Sequence, residues 1–62
     1  MTTFQNLVQR KLVRVETNER TVDMKCNRCT FQICHSSVDL DYWKDSQQKM
    51  VVHFCQQHSH EL

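Results

Sequence analysis

Phe4, Leu7, Val8 and Leu12 fall at i, i+3, i+4 and i+8, and Thr2 or Thr3 can cap, so the opening segment predicts a short helix over about residues 3–10. From Lys11 the period drops to two. Val13 and Val15 alternate with Arg14, Thr17-Asn18-Glu19 can turn, and Val22 and Met24 alternate with Asp23 and Lys25, which predicts a hairpin leading into Cys26. Phe31, Ile33 and His35 then alternate with Gln32 and Cys34 until Ser36-Ser37 interrupts. Val38, Leu40 and Tyr42 alternate with Asp39, Asp41 and Trp43, which predicts another strand, and Lys44-Asp45-Ser46-Gln47-Gln48 reads as a turn. A last strand puts Met50, Val52 and Phe54 on one face and Val51, His53 and Cys55 on the other, with Gln56–Leu62 finishing as a short helix.

Composition changes this picture by asking what holds it together. The chain has 62 residues, no glycine and no proline, 39% hydrophobic residues and a mean hydropathy of −0.67. A domain of this size buries only about 60% of the surface its unfolded chain exposes. Apolar burial set against chain entropy then comes out near zero. A single domain spanning residues 1–62 therefore calls for an additional tie. No apolar run is long enough for a signal-peptide core or a membrane span, so the expected compartment is a reducing cytoplasm, the host's if the protein is viral. Four cysteines allow three disulfide pairings, but that compartment favours metal.

The pattern Cys26-x2-Cys29-x25-Cys55-x2-His58 has the spacing of a tetrahedral zinc site. If residues 30–35 form a strand, Cys34 lies on the order of 16 Å from Cys29, so Cys34 is expected to be a small buried thiol and His35 a surface or half-buried histidine. On a strand His53 shares a face with Cys55 about 7 Å away, which makes His53 a neighbour of the site and a substitute for Cys55. A tight turn presents Cys55 and His58 together, with His60 in reserve. The expected ligands are Cys26, Cys29, Cys55 and His58, holding one structural Zn2+. Such sites contribute roughly 10–16 kcal/mol to folding. Four protein ligands leave no position for a reactive water, and no hydrolase, dinucleotide or phosphate-loop motif is present, so no enzymatic activity is expected.

A C-x2-C knuckle, a β-hairpin and a second knuckle after the final strand resemble the zinc ribbon. The ending from Met50 to Leu62 looks like small bacterial and phage ribbon proteins in which an apolar strand runs into C-x2-H and a short helix. The match covers roughly residue 20 onward, the ribbon-like core, and leaves residues 1–19 as a helix and strand extension. The resemblance implies a small zinc-stabilised, mainly β fold, a zinc-ribbon-like antiparallel sheet with short terminal helices. It also implies roles in transcription, nucleic-acid enzymes or protein adaptors, without choosing among them.

Charge adds a direction. Residues 1–30 carry six basic groups (Arg10, Lys11, Arg14, Arg20, Lys25, Arg28) against three acids, a balance of +3; residues 31–62 carry two against four, a balance of −2. The basic half suits phosphate, with Phe31, Tyr42 or Trp43 available to stack on bases. Trp43 has two readings: exposed opposite the Val38, Leu40 and Tyr42 face, or packed under the N-terminal segment. The expected function is a non-enzymatic regulator in gene expression that binds nucleic acid or a nucleic-acid-processing protein, with no membrane partner. The alternative is a protein-binding module or inhibitor that docks on a host enzyme such as RNA polymerase through the acidic aromatic stretch 39–45.

Overall fold

Thr3 is extended and its hydroxyl accepts from the Asn6 N–H at 3.2 Å, which opens helix α1 (Phe4–Gln9) in a computed structural model that describes residues 2–62. The predicted helix and hairpin are both present. The chain continues through strands β1 (Val13–Thr17), β2 (Thr21–Cys26) and β3 (Gln32–Ser36), helix α2 (Leu40–Gln57) and a 3-10 turn (Ser59–Glu61). The sheet is antiparallel in the order β1-β2-β3. Its register pairs Val13 with Cys26, Val15 with Met24, Met24 with Ile33, and Val22 with His35. One face therefore carries Val13, Val15, Val22, Met24, Cys26, Ile33 and His35, and both helices pack there, α1 against β1 and α2 against β3. The opposite face, with Arg14, Glu16, Asp23, Lys25, Gln32 and Cys34, meets solvent.

Leu7, Leu12, Val13, Met24, Cys26, Met50 and Phe54 form the core, and Leu7, Met24, Met50 and Phe54 are completely buried. Fully burying a side chain of this size is worth about 1.5–3 kcal/mol. Among the described residues no helix is long and apolar enough to cross a membrane.

Residues 38–55 depart from the predicted strands. The acidic-apolar stretch and the turn after it are one 18-residue helix. Asp39 caps it by accepting from Tyr42 N–H at 2.9 Å, Asp41 complements the positive end of its dipole, and Asp45 pairs with Lys49 one turn on at 3.1 Å. Trp43, Ser46, Met50 and Phe54 recur at helical spacing on the face turned to the sheet. Val38 and Leu40, which the alternation places with Tyr42 on one strand face, are 85% and 68% exposed. Trp43 is half-buried beneath the N-terminal segment, edge-on to Phe4 at 6.0 Å, which selects the packed one of its two readings. Cys34 and His35 exchange their expected roles, because register puts His35 on the core face and Cys34 on the open one. His35 Nδ1 lies 2.8 Å from the Ser36 carbonyl. His35 Nε2 and Ser46 Oγ are buried without a partner.

Without glycine, helix α1 ends on Lys11, whose φ of 60° is the one positive value among the described residues. Lys11 N–H donates to Val8 O at 3.0 Å and Leu12 N–H to Leu7 O at 2.9 Å, the two bonds of a Schellman turn, with Leu7 and Leu12 meeting in the core. A side chain in this conformation costs roughly 1–2 kcal/mol, which glycine avoids. Glycine also gains entropy in the unfolded chain, so Lys11→Gly is expected to stabilise the metal-loaded protein by about 0.5–1 kcal/mol, or several degrees in Tm. An unchanged or lower Tm in thermal melts counts against the strain.

Candidate metal centre

Cys26 is the last residue of β2, and the loop that follows it returns tightly, with Cys26 N–H donating to Phe31 O at 2.9 Å. That turn brings Cys29 beside Cys26. Backbone donors face both sulfurs: Arg28 N–H lies 3.4 Å from Cys26 Sγ and Phe31 N–H 3.5 Å from Cys29 Sγ, the arrangement that stabilises thiolates. Asn27 fastens the loop to the start of the chain. Its N–H donates to Leu12 O at 3.0 Å and its side-chain amide to Lys11 O at 2.8 Å, so the Schellman turn buttresses the knuckle.

The other half of the cluster comes from α2. His53 lies on the helix beside the buried Phe54, and His58 is the residue that caps the C-terminus. Five residues along a regular helix would turn His58 about 140° away from His53. At His58 the backbone leaves the helix, with φ −133° and ψ 34°, and the two rings come to 5.0 Å between centroids. Phe31 stacks on His53 at 4.1 Å and 12°, fixing its plane.

One ligand atom from each of Cys26, Cys29, His53 and His58 lies within 4.8 Å of all the others. A tetrahedral ion with sulfur at about 2.3 Å and nitrogen at about 2.0–2.1 Å requires S···N edges of roughly 3.6 Å. The observed edges are 3.7 Å from Cys26 Sγ to His58 Nε2 and 3.3 Å from Cys29 Sγ to His53 Nε2. Both edges lie within a few tenths of an ångström of that value. The residues fit the group.

Three of the four expected ligands meet here, and Cys55 is not among them. It is exposed on α2, two residues past His53 and so on another side of the helix. His53, the expected substitute, belongs to the cluster. The signal that finds it is His53-x4-His58, a histidine pair following a C-x2-C knuckle. His60 is exposed, its ring 6.4 Å from that of His58.

Burial pushes the Cys26 thiol above its ordinary range, with the Arg28 N–H acting against it, and burial together with neighbouring His58 pushes His53 down. Metal uptake near neutral pH thus displaces a proton from Cys26, while His53 stays neutral and able to ligate to lower pH than an ordinary histidine. Cys34, exposed on the open face, is also raised, chiefly because its cross-strand neighbour Asp23 favours the protonated thiol.

The basic residues divide by position. Arg10 and Lys11 precede β1, Arg14 pairs across the sheet with Lys25, and Arg28 lies in the knuckle, so five of the six surround the metal end. Arg20 sits in the β1–β2 turn at the far end, where its carbonyl accepts from Ser37 N–H at 3.0 Å.

Comparison with known protein families, curated proteins and solved structures returns no match.

The assignment predicts the pattern of thiol reactivity. In the metal-loaded protein a soluble alkylating reagent is expected to modify Cys34 and Cys55 and to spare Cys26 and Cys29, which react only after chelation. Cys55→Ala keeps one ion per chain by native mass spectrometry, and His53→Ala weakens metal binding at least tenfold. Protection of Cys55, with retention of metal in His53→Ala, would return Cys55 to the ligand set.

Proposed function

We propose that the protein is a non-enzymatic Zn2+-binding module that acts in gene expression by binding the phosphates of nucleic acid with its metal end. Two thiolates and two imidazoles in tetrahedral reach are a donor set suited to Zn2+. Four protein ligands leave no open coordination position, so the ion serves folding, at roughly 10–16 kcal/mol for sites of this kind. A reducing cytoplasm, the host's for a viral protein, keeps such thiols available. The first knuckle, at the tip of the β2–β3 connection, is the part of the arrangement that resembles a zinc ribbon. A histidine pair from the end of a helix, here His53 within α2 and His58 at its cap, takes the place of a second knuckle, as a histidine pair does in ββα zinc modules, many of which read DNA.

The observation that carries the nucleic-acid reading is the gathering of Arg10, Lys11, Arg14, Lys25 and Arg28 toward the metal end, where Glu61 meets Arg10 and Arg28 and Glu16 pairs with Arg14 at 3.1 Å, so the basic groups outnumber the acids that touch them. Asp23 lies at mid-strand and Glu19, Asp39 and Asp41 toward the opposite end, so the positive balance sits at the metal end of a molecule 34 Å in its longest dimension. A phosphate chain is drawn to one end and repelled from the other.

A second reading rests on that other end. Val38 and Leu40 are the most exposed large hydrophobic residues among the described residues and are flanked by Asp39 and Asp41, a composition that suits docking on a basic protein surface such as that of a transcription enzyme.

Fluorescence anisotropy with labelled single- and double-stranded oligonucleotides tests the first reading. Affinity is expected to fall with salt, with a log–log slope near −0.9 per duplex phosphate contacted, and Arg14→Ala with Lys25→Ala should reduce that slope by about 2. Absent or salt-independent binding would sink it. For the second, a nuclease-treated pull-down is expected to retain one stoichiometric protein that Val38→Asp and Leu40→Asp release; capture of nucleic acid alone counts against docking.

A further inference from the structure

Arg10 and Arg28 come from separate elements, the end of α1 and the knuckle, yet both reach Glu61. Arg10 Nη2 donates to the Glu61 carbonyl at 2.7 Å, and Arg28 Nε lies 3.4 Å from Glu61 Oε1. His60 Nε2 is 3.6 Å from the same oxygen. We propose that Arg10 and Arg28 form a phosphate-binding pair which Glu61 occupies in the free protein, so that nucleic acid gains this contact by displacing an internal carboxylate. The inference rests on the nucleic-acid reading above and identifies where one phosphate sits.

The pair is a product of the fold. Arg28 is fixed by its place between Cys26 and Cys29, and Arg10 by the Schellman turn that Asn27 ties to the same loop. Arg28 faces the Glu61 carboxylate while Arg10 holds the neutral carbonyl of the same residue, so two guanidiniums meet one negative charge and a positive charge remains uncompensated when Glu61 is seated. Planar guanidinium groups recognise carboxylate and phosphate oxygens with the same N–H donors, so the Glu61 carboxylate oxygen on Arg28 marks a position a phosphodiester oxygen can take, with the remaining Arg10 donors beside it.

Displacement costs little. The Arg28 and Glu61 side chains are 45% and 30% exposed, and ion pairs this open are weak. Glu61 lies three residues beyond His58 in a single 3-10 turn, so its side chain can swing out while His58 stays on the metal. Competition by one weakly held carboxylate should depress affinity about three- to fivefold.

Glu61→Gln removes the charge and keeps the backbone carbonyl that Arg10 uses. With a fluorescein-labelled 16-nucleotide strand and the matching duplex at low salt, Glu61→Gln is expected to tighten binding about three- to fivefold. The gain should disappear in Arg10→Gln and Arg28→Gln backgrounds, while native mass spectrometry still finds one ion per chain in all of them. If Glu61→Gln binds no more tightly while binding stays salt-dependent and sensitive to Arg14→Ala, the paired-arginine site is wrong and the broader reading stands. Loss of metal from Glu61→Gln without tighter binding would make Glu61 a structural tie and also overturn the proposal. No binding by any variant, the parent included, removes both.

Discussion

Two sulfurs at the end of a β-strand and two imidazoles at the end of a helix have to reach one coordination sphere, and most of the other features of the chain serve that convergence. The sheet delivers Cys26 and Cys29 through a tight loop, and α2 runs the length of the molecule before it presents His53 and His58. The core between them is small, seven buried side chains with Phe54 and Met50 among them, and in a domain of this size such a core balances chain entropy with little to spare. An ion held by all four groups would tie the sheet to the far end of the helix and close the loop of chain between residues 29 and 53. Loss of the ion would leave the tilt of α2 to side-chain packing alone.

The geometry was partly written in the sequence. β-Branched residues at period two located β1, β2 and β3, because a sheet with one solvated face forces that alternation on Val13, Val15, Val22 and Met24. Helix α2 was hidden by two coincidences. Val38, Leu40 and Tyr42 alternate over only three positions, and they turn out to be exposed around a helix start. The core-facing series Trp43, Ser46, Met50, Phe54 is interrupted by a serine, so an apolar count loses the helical period at its second position. The signals that identify the helix are polar: Asp39 as a cap, Asp45 and Lys49 one turn apart, and eighteen residues without a helix breaker.

Mistaking a helix for a strand exchanged the ligands as well. On a strand, His53 and Cys55 share a face, and Cys55 takes precedence as the thiol beside His58. On a helix the same two residues point about 200° apart, and only one of them can meet Cys29. His58 joins His53 because the chain departs from helical geometry at the cap, a feature no periodicity encodes. The knuckle was legible because two cysteines three apart constrain their own loop, whatever the surroundings.

The N-terminal segment illustrates how a chain without glycine meets the same demands. A lysine takes the left-handed position that ends α1, at a cost in stability, and the turn so formed offers the Lys11 and Leu12 carbonyls to Asn27 between the two cysteines. That contact extends the influence of the metal beyond its ligands, since holding the knuckle also holds the end of α1. It is also why charge collects where it does: Arg10 and Lys11 flank the turn, Arg28 shares the loop with Asn27, and Arg14 and Lys25 pair one step along the strands from Cys26. The ion and the basic end thus depend on the same few backbone bonds, and whatever the protein contacts with that end, it contacts with residues the metal centre has already positioned.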